Sequence, residues 1–319
     1  MQSKHRPKVS VIIPAYNVQA YITECINSLK AQTFNDFEAI VINDGSTDNT
    51  LALISEAVAD DSRFVVYDQT NKGLASTRNR GLGLAQGDFV YFFDSDDLIE
   101  PEMLESTVHL ALDDELDLVH FNALPFNDRD YAVCRFTGNN YLRSVSPDHG
   151  NFYQYLMQSK QYRSPVWLYL IRRSLLEDNK IRFIEGIIHE DEAFTLQVMN
   201  LSLRHGFIER SFFKRRMRSN SIMTSGHSMK NVRGYFETFR HLAEWFSKSP
   251  DIDPGAKETV RKHIGMFYLN ALRIALELGE LKSFRRSAIK HSHHVLRHVP
   301  PKNSVAVFFP QSVASRLAY

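Results

Sequence analysis

Asp94-Ser95-Asp96, followed at once by Asp97, sets three carboxylates directly after the apolar run Phe89-Val90-Tyr91-Phe92-Phe93. Carboxylates two residues apart at a strand end can share a divalent cation and the ribose of a nucleotide diphosphate, because hard cations take oxygen ligands and often bind through one or two carboxylates plus phosphate oxygens. Such a metal would neutralise charge growing on a leaving diphosphate. The plainer reading is an acidic capping loop, but like charges crowded at a sheet edge are costly without a counter-ion.

Asp44 is a second candidate, placed after the apolar run Phe37 to Ile42 and before Gly45-Ser46. A carboxylate there can accept the imide N–H of uracil or thymine, which cytosine lacks, or it can simply cap its own turn.

Rival chemistries for the Asp cluster fare less well. A calcium loop starting at Asp94 needs Gly at its sixth position, where the chain has Ile99. A phosphohydrolase using Asp94 as a covalent nucleophile would also want a buried strand and magnesium, but carries its motif on the first strand rather than the fourth. No Gly-x-Gly-x-x-Gly follows the first strand and no Gly-x-x-x-x-Gly-Lys occurs, which disfavours dinucleotide oxidoreductases and P-loop enzymes. A nucleotide-binding module without catalysis stays open.

These residues need a scaffold that brings strand ends together. Val9 to Ile13, stopped by Pro14, reads as a buried parallel strand, and Ile22, Ile26 and Leu29 recur at helical spacing. Phe37 to Ile42 is the next strand. Ser46 or Asp48 can cap a helix bearing Leu51, Ile54 and Val58, and Phe64 to Tyr67 is the third strand. Asn71-Lys72-Gly73 turns into a helix from about Leu74 to Ala85, and the fourth strand delivers Asp94. In open parallel sheets ligands sit outside the carboxyl ends of the strands, where this chain carries Tyr16, Asp44, Asn71 and Asp94 to Asp97. Pro101 suits the first turn of a helix with Leu104, Val108 and Ala111 inward. Further strands are expected at Leu118 to Asn122 and around Val166 to Ile171, and helices beyond Gly226, with Tyr235, Phe239 and Leu242 on one stripe.

Composition removes other classes. In 319 residues, 43% apolar, Lys plus Arg number 38 against 37 Asp plus Glu, so no basic field invites nucleic acid. Cys25 and Cys134 make neither a disulfide framework nor a Cys-x-x-Cys site. The polar stretch Met1 to Lys8 lacks a signal-peptide core, and no run of roughly 18 apolar residues appears. A cytoplasmic setting is expected, with peripheral contact to the inner membrane through the basic stretch Arg285 to His298 as an option.

Four motifs then occur in order within about the first 105 residues: Val9-Ser10-Val11-Ile12-Ile13-Pro14-Ala15-Tyr16-Asn17, Asn43-Asp44-Gly45-Ser46-Thr47-Asp48, Asn71-Lys72-Gly73 with Arg78-Asn79, and Asp94-Ser95-Asp96-Asp97. Together they resemble the family-2 inverting glycosyltransferases of the GT-A fold, including bacterial capsule, lipopolysaccharide and exopolysaccharide enzymes. The resemblance implies an α/β fold with a central, mostly parallel sheet flanked by helices and a C-terminal helical extension. Its expected divisions are 1–225 for the transferase domain, with a nucleotide half 1–110 and an acceptor half 111–225, and 226–319 for the helical region.

The same resemblance implies a UDP-sugar donor, Mn2+ or Mg2+, and a glycan or lipid-linked glycan acceptor. Pro14, Tyr16 and Asp44 would line the base, with Ala15, Asn17, Asn71 and Ser95 as further nucleotide-sugar contacts. Arg78 would lie near the nucleotide, Asp94 would meet the ribose and Asp96 the metal. Asn43 stands where the family commonly has another Asp, which removes one carboxylate and keeps the second.

Phe183 to Glu192 looks like the family's Glu-Asp motif, so Glu190 and Asp191 are the expected catalytic pair, Asp191 as base. Read from the residues alone, the same acids open an apolar-periodic helix and complement its dipole. An acceptor hydroxyl is a weak nucleophile, and an ionised carboxylate can take its proton during attack on the anomeric carbon. Inversion by single displacement needs no enzyme nucleophile. Arg215 to Ile222 resembles a basic segment of related enzymes, and Arg218 is expected on the diphosphate through its fork of donors. His227 is the expected second metal ligand. The C-terminal helices could serve as acceptor groove, membrane dock or homo-oligomer interface.

Overall fold

The computed structural model describes residues 6–126, 144–145, 152–217, 226–248, 252–291 and 297–298. Alternating apolar runs and amphipathic helices give β1 (Val9–Ala15), α1 (Ile22–Lys30), β2 (Phe37–Asp44), α2 (Thr50–Val58), β3 (Phe64–Gln69), α3 (Leu74–Leu84) and β4 (Phe89–Phe92). Every residue of β1 and β4 is buried, as expected of strands covered on both faces. The strands lie in the order β3-β2-β1-β4, all parallel, so their carboxyl ends open along one edge.

Pro14 does not stop β1, which runs on to Ala15. Ile12 turns its carbonyl towards β4, where Phe93 N–H donates to it, and β4 has ended by the next residue pointing that way. The N–H that proline lacks is therefore missing from no ladder.

Helix α3 lies close on β1: a Cβ at Gly81 would stand 2.3 Å from Ile12 Cγ2. That approach lowers the preceding turn, which carries Arg78 and Asn79, onto the sheet.

Next come β5 (Leu98–Ile99), α4 (Met103–Asp113), β6 (Leu118–Phe126), β7 (Ser144–Val145), α5 (Phe152–Gln158), a short 3-10 turn (Val166–Leu168), β8 (Tyr169–Arg172), α6 (Arg173–Asp178), α7 (Glu190–Leu201) and β9 (His205–Arg216). From here the sheet becomes mixed. β8 inserts antiparallel between β4 and β6, and β9 runs parallel to β6 but antiparallel to β5 and β7.

Helices α8 (Met229–Lys248), α9 (Lys257–Glu277) and α10 (Leu281–Lys290) complete the chain's described elements. Phe239 and Leu242 are fully buried, and Phe239 and Phe236 meet Tyr268 and Phe284 edge-on or tilted. Each such aromatic removed from water contributes about 1.5–3 kcal/mol before entropy costs. Among the described residues no helix is long and apolar enough to cross a membrane.

Candidate active site

The carboxyl edge of the sheet gathers the expected residues on named elements. Asp44 ends β2 and is buried. Its Oδ1 accepts the Lys72 N–H at 2.8 Å and the Gln69 amide at 2.7 Å, and its Oδ2 accepts the Gly73 N–H at 2.9 Å. Three donors on one carboxylate make it the cap of the Asn71-Lys72-Gly73 turn, whatever else it binds. Gly45 follows at φ 69°, and a Cβ there would meet Asn71 N at 2.7 Å, so only glycine allows the two turns to touch.

Pro14 and Ala15 are buried at the end of β1, and Tyr16 projects, about half exposed. Asn17 sits at φ 51°, where its Oδ1 accepts the Thr47 N–H at 2.8 Å and its own N–H donates to Ser46 Oγ at 3.0 Å. Asparagine tolerates this left-handed position better than most residues, and it ties the first two motifs together.

Arg78 is not held out to the crevice. It is 1% exposed and bridges three carboxylates: Nη2 donates to Asp94 at 2.8 Å, and Nη1 to Asp191 at 2.6 Å and Glu190 at 2.9 Å. Among the described residues its Nε has no hydrogen-bond partner, and the guanidinium lies over the Phe183 ring. The charges around it hold Arg78 firmly protonated. Next to it, Asn79 pairs both ways with the Phe183 backbone, accepting its N–H and donating to its C=O, each at 2.9 Å. Two consecutive residues of α3 thus fasten the segment leading into α7.

Asp191 opens α7 beside Glu190. Burial is the main cause that pushes its carboxyl up, to about 7; Arg78 opposes the rise, and Glu190 and Asp94 add to it. A carboxyl poised there exchanges protons readily near neutrality. Oδ1 is engaged by Arg78, whereas among the described residues Oδ2 has only a long 3.4 Å contact from Val166 N–H.

The acidic strand end is organised from β9. Arg216 N–H donates to Asp97 Oδ1 at 2.6 Å, its Nε to the Asp96 carbonyl at 3.0 Å, and its Nη2 to Glu24 at 2.5 Å. The side chain is buried between Tyr21 and Phe126. The basic segment therefore contributes Arg216 as a fastener of the Asp loop; Arg218 lies outside the described residues. Asp97 is buried, and burial, then Asp96 and Asp94, push its carboxyl well above the usual range.

Asp94 and Asp96 are half-buried at this edge, and their charges add to the rise of the Asp97 carboxyl. A diphosphate would be repelled there unless a cation lay between, so the donor set fits a hard divalent ion held by Asp96 and phosphate oxygens. His227 does not join a preformed set: it is exposed, pairs through Nδ1 with Glu277 of α9 at 3.0 Å, and among the described residues no group of three or more His, Cys, Asp or Glu converges as a cation site.

Sequence reasoning left Asn79 and Arg216 without their roles. The Arg78-Asn79 pair mid-helix was the available signal for the first, since two polar residues on a helix that lies against a sheet need partners.

A parallel half sheet, an Asp-x-Asp strand end and an acidic helix N-terminus are thus joined by one buried arginine. The chain matches glycosyl transferase family 2 over residues 10–169. It is 34% identical over 258 residues to the uncharacterized glycosyltransferase YibD of Escherichia coli, covering 76% of this chain and 72% of that protein. Glycosyltransferase GlyA of Streptococcus pneumoniae is 28% identical, covering 88% of this chain but only 39% of its own length. Among solved structures, S. aureus TarS 1-349 in complex with UDP-GlcNAc superposes with TM-score 0.74 at 25% identity, covering 94% of this chain and 83% of that one. The chain belongs to glycosyl transferase family 2 and has the GT-A fold.

Proposed function

We propose that this glycosyltransferase moves a sugar from a UDP-sugar to a hydroxyl of a glycan or lipid-linked glycan with inversion, Asp191 acting as general base. The observation that carries the reading is Arg78, whose two ends hold Asp94 and Asp191. One guanidinium thereby couples the strand end suited to ribose and diphosphate to the carboxylate suited to an acceptor proton. The UDP-GlcNAc bound by the TarS neighbour supports a UDP-sugar donor.

Tyr16, Pro14, Ala15 and Asn17 form one wall for the base, and Asp44, set beside them, is the acceptor for a uracil imide N–H through a lone pair its turn leaves unused. Asn71 and Ser95 flank the same crevice, with Asp94 directed to ribose. A divalent cation, Mn2+ or Mg2+, held by Asp96 would offset charge on the departing diphosphate. Asp191 Oδ2 receives the acceptor proton while the acceptor oxygen bonds to the anomeric carbon and the C–O bond to the diphosphate breaks, its electron pair leaving on UDP. Glu190 shares Arg78 and keeps the guanidinium from neutralising Asp191 alone. The exposed Lys282, Arg286, Ile289 and Lys290 of α10 support peripheral contact with an anionic membrane, where lipid-linked acceptors reside.

The test is thermal melting with nucleotides. At about one hundred times its dissociation constant, UDP with Mn2+ should stabilise the chain by about 2.7 kcal/mol. CDP and UDP without metal should give clearly smaller shifts. Equal shifts for UDP and CDP would remove the role given to Asp44, and no shift with any nucleotide diphosphate would remove the donor reading.

A further inference from the structure

Asp191 sits in the first turn of α7, so its aim depends on how that turn is held. His189, the residue before the helix, adopts φ 65° and ψ 32°, a left-handed conformation, and makes no side-chain cap. Few non-glycine residues adopt this conformation, histidine more readily than most, and here the surroundings hold it in place.

Those surroundings come from α8. A Cβ at Gly234 would stand 2.4 Å from the Ile188 carbonyl oxygen, so only glycine lets α8 lie directly on the backbone that precedes His189. One helical turn away, Asn231 Oδ1 accepts the Ser228 N–H at 2.9 Å, which fixes the amide with its NH2 outward. That NH2 donates to His189 Nε2 at 3.2 Å, so the imidazole presents a lone pair there and carries its proton on Nδ1. Burial, assisted by His227, lowers the His189 pKa and favours the same neutral ring. Tyr235 stacks on the imidazole with centroids 4.3 Å apart and planes 16° from parallel, and Phe267 of α9 stands behind Tyr235.

Neighbouring residues of one helix thus hold the backbone, the edge and the face of a single strained residue. We infer that α8, through Gly234, Asn231 and Tyr235, is a positioning element for catalysis: by fixing His189 left-handed it sets the start of α7 and so the direction of the Asp191 carboxylate. The C-terminal helices then complete the active site without touching substrate. This rests on Asp191 being the base.

The experiment compares Tyr235→Ala, Tyr235→Phe, Gly234→Ala and Asp191→Asn in the full chain. For each, UDP affinity, melting temperature and kcat for UDP release are measured, using the UDP-sugar that gives the largest melting shift. Displacement of a catalytic group by a fraction of an ångström costs tenfold or more, so Tyr235→Ala should lower kcat by at least about tenfold and leave the UDP dissociation constant within about twofold. Tyr235→Phe, which keeps the stacked ring, should restore kcat. Should Gly234→Ala fail to fold, the Tyr235 pair decides alone.

Unchanged kcat in Tyr235→Ala, or a fall in kcat matched by an equal loss of UDP affinity, overturns the positioning role. If Asp191→Asn abolishes turnover while Tyr235→Ala does not, the positioning role alone is wrong. If Asp191→Asn keeps full turnover, the base reading is wrong and the inference goes with it.

Discussion

Asp191→Asn should lower kcat by about two to four orders of magnitude, the usual contribution of a positioned general base, with UDP affinity little changed. Asparagine keeps the size of the side chain and can still face Arg78, but has no lone pair basic enough to take the acceptor proton. The wild-type pH profile provides an independent sign. The Asp191 carboxyl is raised to about 7, so it is neutral below that pH and cannot accept a proton. Turnover should therefore fall as pH drops through about 7, and that limb should vanish in Asp191→Asn. The effect on stability runs the other way. A carboxyl whose folded pKa is raised contributes stability below its unfolded pKa, and that contribution is lost as pH rises through about 7.

Arg78→Met is the second large effect. Methionine approximates part of the volume but removes the cation from between Asp94, Glu190 and Asp191. Deleting one partner of a buried ion pair costs about 3–5 kcal/mol because the remaining charge is left uncompensated. Here the carboxylates retain side-chain exposures of 26%, 11% and 21%, so water reaches them and the lower end, about 3 kcal/mol, is expected. Denaturant unfolding reads this loss directly. The loss should shrink at acid pH, because carboxyls freed from Arg78 protonate more easily. A variant as stable as the parent at neutral pH would mean that the bridge contributes nothing to the fold.

Both effects meet at one residue whose role the sequence disguised. Arg78 lies in a motif, and its resemblance suggested a nucleotide contact, yet its carboxylate partner on α7 is 113 residues away. Nothing in local spacing announces such a pairing. The parallel half was legible because β-branched runs ending in Asp or Asn, separated by amphipathic helices, leave few alternatives. Beyond Asp117 the strands are as apolar as before, but direction is not written in apolar periodicity, so the antiparallel insertion of β8 is visible only in the structure. Asp44, Asp94 and Asp191 were recognisable as acids at element ends. What could not be read were side chains whose work is to hold others: Asn79 on the Phe183 backbone, Arg216 on Asp96 and Asp97, and His189 under Tyr235. His227, by contrast, stands in a suggestive stretch and pairs with Glu277 of α9.

The stereochemistry of transfer tests the central claim most directly. The chain is incubated with an α-linked UDP-sugar, and the anomeric configuration of the first product is read by proton NMR before any released sugar can mutarotate. A single displacement with Asp191 as base and no enzyme nucleophile gives the β anomer. An α product would require a second displacement or a front-face reaction, and would contradict the role assigned to Asp191.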